Sequence, residues 1–444
     1  VTPTLDMLRR SLEGVYASVL ATCDEDGLPN VSMISQVHYL DPDHVALSYQ
    51  FFNKTRENLL RTRMATVQVA DPANFAQHRI ELDYLETRTG GPVFETMKAK
   101  LAGIASHHGM ESVFRLLGAD IFRVRSIEPV PGPAMEPCAA ANGLLAAVRL
   151  ACTALEAAAD LDDLLETGTA CLETQFGIAH SMILMTEDDE DRLFTVASRG
   201  YRRSGIGSEV AFGEGVIGVA ASEGVPIRIC HMTSDYRYGA TISETARQAG
   251  LIGRSIQVIP FPGLPNPGSQ IALPLRSGSR LLGVLFAETE QVMRFDHEVE
   301  DALAVIAMHL GARIAQFLRD DADDEEPVEP EARPAEGSVA LRFHPHDQSV
   351  FLDNDYLIKG VAGAILWRLV REHADTGRTE FTTRELRLDA SLRLPAHAEN
   401  LDARLILLRK RLEERGACLR IEKSGRGRFR LNILCGLSLM EMAD

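Results

Sequence analysis

Cysteine is scarce and unpatterned in this chain of 444 residues: there are seven, at 23, 138, 152, 171, 230, 418 and 435, and none belongs to a C-x-x-C pair. A zinc ribbon or a disulfide framework is therefore not expected, and seven free thiols in a reducing compartment are. Tryptophan occurs once, as Trp367. No uninterrupted apolar run approaches the roughly 18 residues of a membrane-spanning helix, so none is expected. The opening residues Val1-Thr2-Pro3-Thr4-Leu5-Asp6 lack the basic-then-apolar order of a signal peptide. A cytoplasmic location without membrane attachment is the expectation. The adjacent histidines His107-His108 point about 100° apart on a helix and cannot share one ion, so no metal site is expected.

What is present is an ordinary globular composition, 45% hydrophobic and 25% charged. The length exceeds one core and implies several domains. A net charge of -17 argues against nucleic acid, but the charge is uneven. Between His397 and Arg430 ten Lys or Arg face five Asp or Glu, so the end of the chain is locally basic.

Residues 1–128 read as a first unit of short strands, Tyr16–Thr22, Asn30–Ser35 and Val45–Tyr49, separated by the turn clusters Asp24-Glu25-Asp26-Gly27 and Asp41-Pro42-Asp43. This spacing suggests an antiparallel barrel or sandwich. Phe51-Phe52-Asn53-Lys54-Thr55-Arg56-Glu57-Asn58-Leu59 then enters a helix, followed by strand Ala65–Ala70 and Asp71-Pro72. Lys, Thr and Arg at a helix start can hold a phosphate, because free N–H groups and the helix dipole favour an anion there. The same residues can also simply cap a helix in solvent. This order resembles the FMN-binding split barrel of the pyridoxamine-phosphate oxidase family. The resemblance implies bound FMN, with Lys54, Thr55 and Arg56 on the flavin phosphate, Asn58 nearby, and Ser32 to Gln36, including Ser35 and Gln36, along the isoalloxazine. It also implies a homodimer. The basic residues flank the Thr here and no counterpart of the oxidase's substrate-binding residues is evident, so pyridoxamine-phosphate oxidation is not expected.

After the proline-rich stretch Glu128–Pro137, residues 139–319 follow a new pattern. Two helices, Leu144–Ala158 and Leu161–Gln175, precede strands Ser181–Met185 and Leu193–Ala197. Phe212-Gly213-Glu214-Gly215-Val216-Ile217-Gly218 comes next, then Pro226-Ile227, Leu273-Pro274-Leu275 and Gly283-Val284-Leu285. The glycine-rich turn is not a phosphate loop, since no Lys-Ser/Thr follows it. These landmarks resemble a GAF domain, which implies a six-stranded antiparallel sheet and a small-molecule pocket. Its lid would be Cys230–Gly268, with His231, Asp235, Tyr236 and Tyr238. On the exit helix Val299, Leu303, Ile306, Leu310, Ile314 and Phe317 form a stripe that can pack on its own sheet, on a second copy, or on both.

Residues 320–337 are acidic and proline-containing, an extended linker. Residues 338–434 begin with strands and a helix, Lys359–Glu372. Thr382-Thr383-Arg384-Glu385 reads as a capping box. The helix from Asn400 carries Leu401, Leu405, Leu408 and Leu412 on one stripe, with Arg404, Lys410 and Arg411 off it and in solvent. A basic hairpin follows, turning at Ser424-Gly425-Arg426-Gly427. This order resembles the winged-helix effector domain of OmpR/PhoB-type response regulators. The resemblance implies DNA binding through Arg404, Lys410, Arg411, Lys423, Arg426 and Arg428. Ile406 and Leu407 depart from it: they lie where a base-reading helix is usually polar, and either meet thymine methyls or face protein.

The fold class is thus multidomain α+β: an antiparallel split β-barrel, a GAF sensor, then a winged helix. The expected function is a transcriptional regulator responsive to a flavin, redox state or small ligand. An FMN-dependent oxidoreductase regulated by its GAF domain is the alternative.

Overall fold

The computed structural model describes residues 3–12, 18–34, 37–49, 53–72, 74–108, 116–132, 143–186, 191–230, 259–320, 338–389, 392, 401–425 and 427–442. Ser35, Gln36, Arg426, the lid residues His231, Asp235, Tyr236 and Tyr238, the acidic stretch 321–337 and the side chains of His107 and His108 lie outside it.

The first unit contains β1 (Ser18–Cys23), β2 (Pro29–Ile34), β3 (Val37–Asp41), β4 (His44–Tyr49), α1 (Asn53–Thr62), β5 (Met64–Ala70), β6 (Gln77–Arg88), α2 (Pro92–His108) and β7 (Gly118–Val130). The strands form one antiparallel sheet in the order β2-β1-β5-β6-β7-β4-β3. Leu20, Val67, Ile80, Leu82 and Phe122 fill one face, with Leu5 and, from the short helix Asp6–Leu12, Leu8 in the same core. Ala119 and Ile121 point the other way, onto Met97 and Leu101 of α2. The start of β7 is thus buried on both faces and loses the alternation that marks a half-buried strand. The sequence pattern alone therefore passes over β7, whose last residues Glu128–Val130 fall in the stretch read as proline-rich, and it passes over β6 as well.

The second unit contains α3 (Leu144–Glu156), α4 (Leu161–Phe176), β8 (His180–Thr186), β9 (Arg192–Arg199), β10 (Glu209–Ala211), α5 (Gly215–Glu223), β11 (Ile227–Ile229), β12 (Ser269–Ser277), β13 (Arg280–Thr289) and α6 (His297–Asp320). Its sheet is six-stranded and antiparallel, β10-β9-β8-β13-β12-β11. Alternate residues of β8 serve two cores. Ile183 and Met185 meet α3, α4 and α6, while Met182 and Leu184 face α5. The stripe Val299, Leu303, Ile306, Leu310 and Ile314 of α6 is buried on the first of these faces. By length and composition His297–Arg319 is apolar enough to cross a membrane, although charged residues interrupt it; half of its apolar window is buried inside the protein.

The third unit contains β14 (Ser338–His344), β15 (Ser349–Leu352), β16 (Asp355–Ile358), α7 (Gly360–Thr376), β17 (Glu380–Thr382), α8 (Thr383–Leu388), α9 (Leu401–Glu414), β18 (Leu419–Gly425), β19 (Arg428–Ile433) and β20 (Gly436–Glu441). The capping box is present: Thr382 Oγ1 accepts the Glu385 N–H at 3.1 Å, and Glu385 accepts the Thr382 N–H at 3.3 Å. Trp367 of α7 stacks on Phe343, ring centroids 5.0 Å apart. The strands form two sheets, β16-β15-β14-β20 and β17-β19-β18. β20, unforeseen from the sequence, lies parallel to β14. Cys418 and Cys435 are joined by a disulfide, Cα–Cα 5.8 Å, which corrects the expectation of seven free thiols. They flank the open end of the β18–β19 hairpin, where antiparallel pairing brings residues 17 apart in sequence together.

Candidate functional site

The first turns of α1 carry Lys54, Thr55, Arg56 and Asn58. Thr55 is buried, and its hydroxyl accepts from Asn30 Nδ2 at 2.8 Å and lies 3.1 Å from Ser32 Oγ. Asn58 is buried too and donates to Thr22 Oγ1 at 3.2 Å. Arg56 turns inward: Nη1 donates to Asp120 at 2.6 Å, Nη2 to Thr87 at 2.8 Å, and the guanidinium lies 4.1 Å from the centre of the Tyr49 ring. Lys54 is exposed, 3.5 Å from Asp24. The structure thus gathers the four residues, but a flavin phosphate needs donors that are not already engaged. Asp120 neutralises Arg56 from a nearly buried position, and Thr55 is tied to β2. An FMN phosphate at this helix start would have to displace Asp120 from Arg56.

A second polar group lies in the second unit, and the sequence reading missed it. Gln270, Glu288 and His180 are cross-strand neighbours on β12, β13 and β8. Glu288 is fully buried and accepts from the Leu264 N–H at 2.8 Å and from Gln270 Nε2 at 3.0 Å. Burial pushes its carboxyl above the ordinary 4.5, and these two donors pull it partly back. Burial likewise raises the neighbouring Tyr201 hydroxyl, with the Glu288 charge adding to it. The available signal was an acid closing the apolar run Leu281–Ala287.

This carboxyl binds its proton more tightly in the folded chain than in the unfolded one. Its contribution to stability is full below 4.5 and is lost as pH rises through the folded value. In urea unfolding from pH 4.5 upward, wild type is expected to lose stability relative to Glu288→Gln. Parallel curves would contradict this.

The third group centres on α9. Its leucine stripe, Leu401, Leu405, Leu408 and Leu412, is buried as the spacing implies. Arg404 and Arg411 are buried as well, at 4% and 6% exposure, a correction to their expected place in solvent. Helix α9 is covered on both sides, by its own unit and by the second unit. Arg411 donates through Nε and Nη2 to the Leu357 carbonyl at 3.2 Å and pairs with Glu414 at 2.8 Å. Lys410 lies 2.5 Å from Glu166 and 3.4 Å from Asp162, and donates to the Val196 carbonyl at 3.2 Å. Arg409, which the sequence reading did not select, pairs with Asp162. Lys423 pairs with Asp160 at 3.0 Å. Lys423 and Arg428 line one cleft with Asp160 and Leu161; Arg404 lines another with Phe194 and Glu209. Ile406 and Leu407 are buried at these clefts, so they face protein.

Among described residues, no group of three or more His, Cys, Asp or Glu could hold a metal ion. The GAF domain family matches residues 158–315, and the second unit is a GAF domain. No curated protein is significantly similar to the chain. Among solved structures, an FMN-binding protein from Syntrophomonas wolfei subsp. wolfei is 21% identical over 28% of this chain and 84% of its own, with a TM-score of 0.25. The GAF domain of an Acinetobacter phosphoenolpyruvate-protein phosphotransferase is 16% identical over 42% of this chain and 100% of its own, TM-score 0.32. Free methionine-R-sulfoxide reductase from Neisseria meningitidis, in complex with its substrate, is 18% identical over 41% and 96%, TM-score 0.32.

Proposed function

We propose that the chain is a ligand-responsive transcriptional regulator in which a GAF sensor controls a C-terminal winged helix that binds DNA. One observation carries the reading: the element order α7, β17, α8, α9, β18, β19, with the sheet β17-β19-β18 closing behind the helices. In this arrangement α9 is the helix that enters the major groove, and the β18–β19 hairpin is the wing along the phosphate backbone. Lys423 and Arg428 of the hairpin neutralise phosphates, which sets register and affinity rather than sequence choice. A small molecule on the α5 face of the GAF sheet, beside Glu288 and Gln270, is the input. The active form is a homodimer.

The test is fluorescence anisotropy of a labelled duplex with the full chain across a salt series. Affinity is expected to fall steeply with salt, and Lys423→Ala with Arg428→Ala to flatten the log–log slope by about 0.9 per residue removed. A slope unchanged by the double substitution would refute DNA binding through the hairpin.

The second reading is an FMN-dependent oxidoreductase whose split barrel holds the flavin at α1. It is favoured by the meeting of Thr55 and Asn58 with exposed Lys54 at one helix start. It requires the flavin phosphate to replace Asp120 as the partner of Arg56.

A further inference from the structure

Three acids on one helix of the GAF domain meet three cations of the proposed DNA-binding face. Asp160 caps the N-terminus of α4 by accepting the Asp163 N–H at 3.0 Å. Asp162 and Glu166 follow, four apart and therefore on one side of the helix. Arg409 pairs with Asp162, Lys410 with both Asp162 and Glu166, and Lys423 with Asp160. Burial works against the Asp160 charge, yet the Asp163 N–H and Lys423 hold its carboxyl below the ordinary range. Acids at this place also suit α4 itself, because the positive end of the helix dipole lies there. Between the ion pairs the contact is apolar. Leu407 lies over Gly207, where φ is 82° and a Cβ would stand 2.8 Å from the Ile259 Cδ1 methyl and 3.3 Å from the Leu407 Cδ1 methyl. Ile406 closes on the cleft beside Leu161.

A cation that neutralises a carboxylate cannot at the same time neutralise a phosphate, and a helix face packed on protein cannot enter a groove. We propose that α4 of the GAF domain is the resting partner of the α9–hairpin surface, its acidic row standing where nucleic-acid phosphates would stand, so that GAF docking and DNA binding exclude one another. The proposal rests on the DNA-binding reading above and adds how that binding is restrained. It also gives Ile406 and Leu407 a role: in the docked state they form the dry centre of the contact.

The experiment compares the full chain with its triple variant Asp160→Asn, Asp162→Asn, Glu166→Gln. The variant removes three charges, and Asn retains an N-cap. Hydrogen exchange reports docking through the α9 amides and folding through the amides of β8 and β13; a random-sequence duplex at low salt reports binding. The expected result is α9 exchange faster by about tenfold or more, unchanged exchange in β8 and β13, and duplex affinity raised by about tenfold or more. Faster α9 exchange with unchanged affinity would overturn the competition while leaving DNA binding intact. Faster exchange with no duplex binding by either chain would overturn the DNA reading and the restraint together. Unchanged α9 exchange would show that the acidic row does not hold the contact, and would overturn the proposal. Faster exchange throughout the GAF domain would trace any gain in affinity to unfolding and equally overturn it.

Discussion

Arg56→Ala is expected to lower the unfolding free energy of the first unit by about 3–5 kcal/mol, a large fraction of what a domain of this size has. The loss comes chiefly from Asp120: its side chain is 6% exposed, and without Arg56 its charge is buried and unpaired. Thr87 Oγ1, which the same guanidinium bonds at 2.8 Å, also loses a donor. The double variant Arg56→Ala, Asp120→Asn is expected to recover most of the loss, since it removes the unpaired charge, and the cycle of four chains measures the coupling. Denaturant unfolding followed by a probe in the first unit makes the measurement. A single-variant cost below about 1 kcal/mol would mean that the pair behaves like an exposed salt bridge. The same chains address the flavin. Because Arg56 is already engaged, FMN is expected to leave the wild-type Tm unchanged; a dose-dependent rise lost in Arg56→Ala would establish the oxidoreductase-type site instead.

The second large effect is expected at Gly283. This residue opens the landmark Gly283-Val284-Leu285 on β13, and it faces Met185 across the central β8–β13 pair. A Cβ on Gly283 would stand 2.1 Å from the Leu184 carbonyl oxygen and 3.2 Å from Met185 Cα. Both obstacles are backbone, so no side-chain rotation relieves them. Gly283→Ala must push two central strands apart, between one core at Ile183 and Met185 and another at Leu184 and Val284. A loss of about 3 kcal/mol or more in GAF-domain stability is expected, read by thermal or urea unfolding, against the few tenths usual for an exposed Gly-to-Ala change. A near-neutral substitution would mean that the β8–β13 register differs from the one described.

The sequence revealed most where burial is one-sided. The alternation in β1 and β5 and the stripe of α6 announce themselves because one face is apolar and the other is not. The reading failed where both faces are covered. Ala119 and Ile121 of β7 face α2 while Phe122 faces the opposite core, so that stretch has no period. β6 was a different kind of miss, since Ile80, Leu82 and Tyr84 do alternate with Glu81 and Asp83. The same two-sided burial explains Arg404 and Arg411. Their distance from the leucine stripe carries no information about what else covers them: Arg411 lies on the Leu357 carbonyl of β16 in its own unit, and Arg404 lines a cleft between Tyr356 of its own unit and Phe194 of the second. The identity of Ile406 and Leu407 was the legible warning, because apolar residues on a helix's outer face need a partner. Glu288 was harder, as a single acid at a strand end looks like any exposed one until the Leu264 segment covers it. Cys418 and Cys435 were missed because their spacing matches no motif; only the hairpin brings them together.

The docking of α9 on α4 takes place within one polypeptide, which changes how strength and concentration enter. Tethered surfaces meet at an effective concentration in the millimolar range, set by the connecting chain rather than by the amount of protein present. A contact too weak to hold two separate molecules together is sufficient here. Within one protomer the contact is unimolecular, so dilution does not by itself weaken it. A modest change in the GAF domain's preference for the docked arrangement therefore acts at full weight at any protein level, in contrast to a repressor that must be recruited from solution.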